Sequence, residues 1–287
     1  MNPLGPVAQT AWERLAVANF FLGGAGGGLY VVAAILRGLD PQPGAAVAFE
    51  TAGLLGPALV VIGFLAVAAE AGRPLRGANV LLNLRLSWMS RELAAGLSFI
   101  VLAGTDRLYP NSPLEWPAVA AAVAFVVSQG FILREARGVP AWNLKLIPLL
   151  FLTSGCLAGA GVLLAVSPLA GLGRGVAGPL VMVVLAAAGA NLAVWIVYLR
   201  RAEVRALLNT WPMMAGVVGI GHLLPVGLIA VGQGLQAPSA FVPVLSGAAI
   251  LAGGLGLKDG LVTRAGRLVA MRPPARGAAS LRPLAPK

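Results

Sequence analysis

Hydrophobic residues in this chain gather in long unbroken runs, not in the alternation of a half-buried strand or the one-sided stripe of a soluble helix. Stretches long and apolar enough to cross a bilayer fall at 15–36, 45–69, 88–104, 116–133, 144–166, 176–199, 213–231 and 239–257. Unpaired backbone N–H and C=O groups are prohibitive in hydrocarbon, so these runs are expected to be helices; no ten-residue alternating pattern suggests a barrel. The predicted fold is an all-α integral membrane bundle of eight transmembrane helices. The gaps are short and leave no room for a second folded domain. Residues 1–263 therefore read as one transmembrane domain, and 264–287, rich in Pro, Arg and Ala, as a basic C-terminal tail without stable helix.

Composition agrees with this pattern. A chain of 287 residues with 58% hydrophobic and 11% charged residues and a mean hydropathy of +0.86 cannot hide its apolar surface in one soluble core, so the lipid bilayer is its expected solvent. The first run is a full span preceded by Trp12, Glu13 and Arg14. That is unlike a cleavable signal peptide, and the first helix is expected to act as its own insertion signal.

Charge then orients the bundle. Eighteen of the 21 Lys and Arg residues lie before the first run, in or at the edges of every second gap and in the tail from Lys258; only Arg37, Arg107 and Arg174 fall on the other side. By the positive-inside rule both termini are cytoplasmic, in a multi-pass cytoplasmic (inner) membrane protein. The net charge of +11 then reads as topology and attraction to anionic lipid, with no nucleic-acid partner. The single cysteine, Cys156, excludes a disulfide within the chain and a cysteine-ligated cluster. The single histidine, His222, excludes bis-histidine haem ligation within the chain. A subunit free of haem and metal is expected.

Ionisable residues in or beside the spans carry the candidate chemistry. They are Glu13, Glu50, Glu70, Arg91, Glu92, Lys145 and His222. Glu92 stands at the start of the third span, where a helix N-terminus favours a carboxylate and the neighbouring Arg91 can form a helix-end charge pair. His222 lies three residues before Pro225, where its ring can bond a carbonyl freed by the proline. The first span carries Asn19 and then five glycines in six positions, Gly23 to Gly28. That strip lets another backbone or a flat ligand come close, and helix packing is its plainer use. It is no phosphate loop, because no strand precedes it and no Gly-Lys-Ser/Thr follows.

The stretch Ala71-Gly72-Arg73-Pro74-Leu75-Arg76, with Leu82-Asn83-Leu84-Arg85-Leu86-Ser87-Trp88-Met89-Ser90-Arg91-Glu92 after it, resembles the membrane-anchor subunits of dimethyl sulfoxide reductase and polysulfide reductase. Ala136-Arg137-Gly138-Val139-Pro140-Ala141-Trp142 before the fifth run is similar to that family too, as are the glycine-rich first span and the eight-helix layout. The resemblance implies a subunit that binds a quinone or menaquinone as substrate. It would exchange electrons with an iron–sulfur electron-transfer subunit that serves a molybdopterin catalytic subunit. In that family a histidine before the Gly-Pro turn and a glutamate after the serine-containing motif are implicated at the quinol site. Glu92 matches the glutamate; Glu70 replaces the histidine, so proton exchange differs. Glu92 and Glu70 are thus the candidate proton-exchanging residues, with Asn19, Gly24, Arg73, Arg85, Ser87 and Arg91 the candidate quinone-binding ones. Both glutamates flank the gap between the second and third spans, which puts the site and the partner subunits on the cytoplasmic side.

Two other classes compete. In a proton-coupled transporter or ion pathway, Glu50, Glu70, Glu92 and His222 would form a proton route, but no internal repeat is visible and most charge bunches at one surface. A non-catalytic membrane tether would use the Arg-rich loops only to dock a soluble enzyme. The substrate of the complex would belong to another chain, with a sulfur compound favoured by analogy alone.

Overall fold

The computed structural model describes residues 7–9, 12–39, 43–70, 84–85, 87–109, 113–171, 174–234 and 240–268. Apart from one pair of two-residue strands, its regular structure is helical. Six long helices come first: α1 (Arg14–Leu39), α2 (Pro43–Glu70), α3 (Trp88–Leu108), α4 (Glu115–Arg134), α5 (Ile147–Val166) and α6 (Arg174–Leu199). A short α7 (Ala202–Leu208) follows. The next run opens as α8 (Trp211–Met214), continues through a π segment, Ala215–Leu223, and ends as α9 (Leu224–Gly234). The last helix, α10 (Phe241–Asp259), extends through a π turn, Gly260–Arg264.

Seven helical runs are long and apolar enough to cross a membrane: α1, α2, α4, α5, α6, the run containing the first π segment, and α10 with its π turn. The remaining expected span, 88–104, forms the 21-residue helix α3 but is not among the seven. Arg91, Glu92, Asp106 and Arg107, with several Ser, Gly and Thr, make it the least apolar of the long helices. It packs on α4 and α2 and is tied to α1 by side chains near both of its ends. Asn19 bonds Glu92 near the start of both helices, and the Tyr30 hydroxyl donates to Asp106 Oδ2 at 3.3 Å further on.

Contacts between helices fix the direction of each. α2 and α4 run antiparallel to α1: Asn19 meets Gly63 and Tyr30 meets Phe49, while Gly23 meets Gln129 and Arg37 pairs with Glu115 at 3.3 Å. α5 runs parallel to α1, with Phe20 against Phe151 and Gly28 against Gly155. α10 returns against α5, from Gly247 beside Gly161 to Lys258 over Phe151. The ends of the described chain meet, since Val7–Ala8 and Arg267–Leu268 form the antiparallel strand pair. That end of the bundle also holds the starts of α1, α3 and α5 and the ends of α2, α4, α6 and α10. It therefore carries 12 of the 15 described Lys and Arg residues and is the basic end of the bundle.

Within the stretch expected as a basic tail, Arg267 and Leu268 pair with Ala8 and Val7. These residues are tied back to the bundle, with Gln9 N–H donating to Gly266 O at 2.8 Å. The rest of the expected tail, 269–287, lies outside the described residues.

Large apolar side chains such as Leu54, Leu65, Val101 and Met182 are exposed on the outer faces of α2, α3 and α6, as a lipid-facing surface requires. Exposed Tyr109 and Trp116 at one end and Trp211 at the other stand where aromatic side chains anchor a helix at the membrane–water interface. α1 is central and almost wholly buried. Its strip lets two backbones touch it: a Cβ at Gly28 would run into Gly155 O of α5, and one at Gly26 into Gly56 O of α2. Such contact replaces the hydrophobic force that lipid does not supply.

Gly28→Ala is therefore expected to lower stability by about 1–3 kcal/mol, because the obstructing atoms are backbone and have nowhere to move. Gly104→Ala is the control; nothing lies within 4 Å of its added methyl, and helix propensity predicts a gain of up to about 1 kcal/mol. Thermal unfolding of the purified chain in detergent checks both, and equal melting of the two variants would refute the packing role given to Gly28.

Candidate functional site

Near the basic end, α1, α3 and α4 each direct one polar side chain into the same interior point. Asn19 is the sixth residue of α1, Glu92 the fifth of α3, and Gln129 lies five residues before the last of α4. Each is thus roughly 6–9 Å along its helix from that end. All three are buried. Asn19 Nδ2 donates to Glu92 Oε1 at 3.0 Å and Gln129 Nε2 to the same oxygen at 3.2 Å; Gln129 Nε2 also reaches the Asn19 carbonyl at 3.3 Å. The carboxamide oxygens Asn19 Oδ1 and Gln129 Oε1 are buried without a hydrogen-bond partner.

Local sequence explains this convergence. Ser87 caps α3, its hydroxyl accepting from Ser90 N–H at 3.4 Å, so the helix starts in time to place Glu92 one turn inside. Gly23 leaves room for the Gln129 carboxamide, which a Cβ there would approach to 2.6 Å. Gly63 on α2 does the same for Asn19.

Arg91 does not pair with Glu92, contrary to the expected charge pair. Its guanidinium turns outward, where Nε donates to Leu84 O at 2.9 Å and Nη2 to Arg85 O at 2.8 Å. It lies 4.2 Å from the Trp88 ring, which stacks on Phe131 at 4.1 Å; Arg134 lies over the other aromatic ring of that pair. Arg91 thus fixes the chain entering α3, and the carboxylate is left with neutral dipoles.

Glu92 and Asn19 also line a cavity of about 110 Å³ with Trp12, Ala16, Phe20, Val67, Met89 and Ile132. A larger cavity of about 390 Å³, lined by Gln9, Trp12, Glu13, Arg14, Leu15 and Thr263, adjoins it across Trp12. Gln9 holds that tryptophan from both sides, donating to Trp12 O at 2.7 Å and accepting from Trp12 N–H at 2.8 Å. Flat aromatic walls with one carboxylate and one carboxamide suit an apolar ring compound that carries oxygen substituents.

Of the residues expected at a quinone site, Asn19 and Glu92 are in direct contact. Gly24 is in the α1–α5 interface, and a Cβ there would come within 3.8 Å of Gln129 Oε1. Ser87, Arg91 and the Arg85 backbone shape the entry to α3 and do not line the cavity. Glu70 ends α2, and Arg73 lies outside the described residues. Gln129, Trp12 and Met89 were not anticipated at the site. Gln129 was visible only as a carboxamide inside an apolar run, a signal without a partner.

His222 belongs to a separate place. Its Nδ1 bonds Val217 O at 2.7 Å, five residues back within the π segment, and its Nε2 faces Asn191 Oδ1 of α6 at 3.1 Å. Its partner is a carbonyl, but not one freed by Pro225: Val217 O lies eight residues before the proline, and the side-chain partner comes from another helix. Glu50, expected in a proton route, is exposed near the start of α2.

Fold and site together define a multi-pass membrane protein with a buried, carboxamide-held carboxylate near one end of its bundle. No protein-family model matches this chain, and no curated protein matches it.

Asn19→Leu is expected to cost about 1–3 kcal/mol, since Glu92 loses one of its two carboxamide donors. In the double variant Asn19→Leu/Glu92→Leu the losses should fall short of additive by about 0.5–3 kcal/mol. Thermal unfolding of the four proteins measures this coupling, and strict additivity would deny the Asn19–Glu92 bond.

Proposed function

We propose that this chain is the quinone-reactive membrane subunit of a multi-subunit oxidoreductase. It exchanges electrons between the quinone pool and an iron–sulfur subunit that serves a molybdopterin catalytic subunit, with a sulfur compound the favoured final substrate. Glu92 carries this reading: it is a buried carboxylate bonded by Asn19 and Gln129 at the wall of an aromatic-lined cavity near the basic end. Oxidation of a quinol releases two electrons and two protons, so a site that performs it needs a proton acceptor beside a ring hydroxyl. Glu92 accepts one proton and passes it to water at the basic end. The second follows once Glu92 is ionised again, and the two electrons leave to the partner's cluster. Trp12 and Phe20 flank the ring, and Asn19 orients the carboxylate.

In this reading α3 is the eighth crossing, both termini are cytoplasmic and the basic end faces the cytoplasm. Exposed Arg137, Arg200, Arg201 and Arg205 at that end favour an acidic partner surface. A reporter fused after Lys287 is expected to be cytoplasmic, and an external reporter would overturn this orientation.

The site is tested in the purified native complex by comparing wild type with Glu92→Gln, which keeps the shape and removes the proton acceptor. Quinone-linked electron transfer should fall about 10²–10⁴-fold, the usual worth of a positioned acid–base group. Activity with a soluble dye should persist and the partner subunits should stay bound. Unchanged quinone-linked activity would remove Glu92 from the reaction and favour a simple tether.

A further inference from the structure

Near the midpoint of the run from Trp211 to Gly234, three side chains from three elements form a polar chain inside the bundle. His222 stands on the π segment, Asn191 on α6 and Thr153 on α5. His222 and Asn191 are buried. Asn191 Nδ2 donates to Thr153 Oγ1 at 3.1 Å, and that hydroxyl donates to Leu149 O at 3.0 Å, with Leu150 O also in reach at 3.3 Å. At the other end His222 Nδ1 meets Val217 O at 2.7 Å and Nε2 meets Asn191 Oδ1 at 3.1 Å.

The donor and acceptor pattern can be completed in two ways. A carbonyl only accepts, so Nδ1 carries a proton in either case. With Asn191 turned as it stands, Nε2 also faces an acceptor, and the ring must donate from both nitrogens. The chain then runs in one direction, from imidazolium to Asn191 Oδ1, from Asn191 Nδ2 to Thr153 Oγ1, and from the Thr153 hydroxyl to Leu149 O. If the amide turns over, Nδ2 donates to an unprotonated Nε2 and Oδ1 accepts from the Thr153 hydroxyl, which releases Leu149 O. Each arrangement satisfies every group in the chain, and they differ by one proton on His222. A network left half-satisfied in one state would lock the other; this one balances both.

We infer that His222, Asn191 and Thr153 form a proton-binding site in the membrane interior, in which uptake of one proton by the His222 ring reverses the Asn191 amide and moves the Thr153 hydroxyl between two acceptors. The inference does not depend on the quinone reading. A π segment is a common feature of functional sites, and ionisable side chains inside membranes mark proton relays. The proton's effect reaches α5 through the Thr153 hydroxyl. The titratable groups on the elements packed around the π segment are Lys258 and Asp259 at the end of α10, and Arg174 and Tyr198 at the two ends of α6; α8 and α9 carry none. Tyr198 donates to Ala141 O and Lys258 lies over Phe151, so their contacts are elsewhere. On α5, Cys156 is three residues from Thr153.

Because His222 is the only histidine, ¹⁵N-histidine labelling of the full chain in lipid bilayers gives one ring to observe. Solid-state NMR across about pH 4.5–9, the range around the usual histidine transition, is expected to convert that ring from protonation at Nδ1 alone to protonation at both nitrogens. Asn191→Leu should weaken proton binding about tenfold, moving the transition about one pH unit lower, because the bond lost by the imidazolium is stronger than the one lost by the neutral ring. A wild-type ring in one protonation state throughout would overturn the site without need of any variant. A transition unmoved in Asn191→Leu would overturn the role of the amide.

Discussion

The approach of α2 and α5 to the glycine strip of α1 is the constraint on which the remaining geometry depends. Neighbouring helices gain little from leaving lipid, since the surroundings are as apolar as the interface. Packing must come from close backbone contact, and α1 provides it at Gly26 against Gly56 and at Gly28 against Gly155. These contacts set the rotation of α1. Asn19 and Tyr30 share the face of Gly26, against α2, and from there reach Glu92 and Asp106 of α3. A side chain at either glycine would turn or push out α1, and Asn19 would leave Glu92.

The same constraint explains why so polar a helix as α3 is held where it is. Its interior charges are each met by a neighbour: Glu92 by Asn19 and Gln129, and Asp106 by the Tyr30 hydroxyl. Its outward cation, Arg91, is spread over the Trp88 ring and two loop carbonyls. The face buried against α1 and α4 carries the carboxylate and the outer face carries the cation. An ion pair between neighbours in sequence would instead point both groups to the same surface.

Helix positions were legible in the sequence because long apolar runs have one solution in lipid; seven of the expected runs fall on helices long and apolar enough to cross, while 88–104 falls on the more polar α3, which is not among them. Asn19 and Glu92 were legible as separate polar residues in apolar surroundings. Their contact was not, because it depends on the rotation of α1, and a run apolar on all sides does not record which face meets which neighbour. Gln129 failed for the same reason. The expected Arg91–Glu92 pair followed from adjacency alone, yet successive residues on a helix point about 100° apart. The carbonyl freed by Pro225 was the expected partner of His222, yet the ring bonds Val217 O, whose register comes from a π segment, which widens the turn and has no firm sequence signature.

The partners of Glu92 matter for what it can do. A guanidinium in contact would hold the carboxylate ionised, because protonation would leave a buried cation unpaired. Two carboxamides impose no such charge. Each has a donor and an acceptor, and each keeps an acceptor oxygen without a partner, Asn19 Oδ1 and Gln129 Oε1. When Glu92 is ionised, the NH₂ groups serve it. When it is protonated, rotation of either amide offers an oxygen to the new O–H. Neutral dipoles that can serve both forms lower the difference in free energy between them, and that small difference is what a group needs if it is to take a proton and give it up again in each cycle.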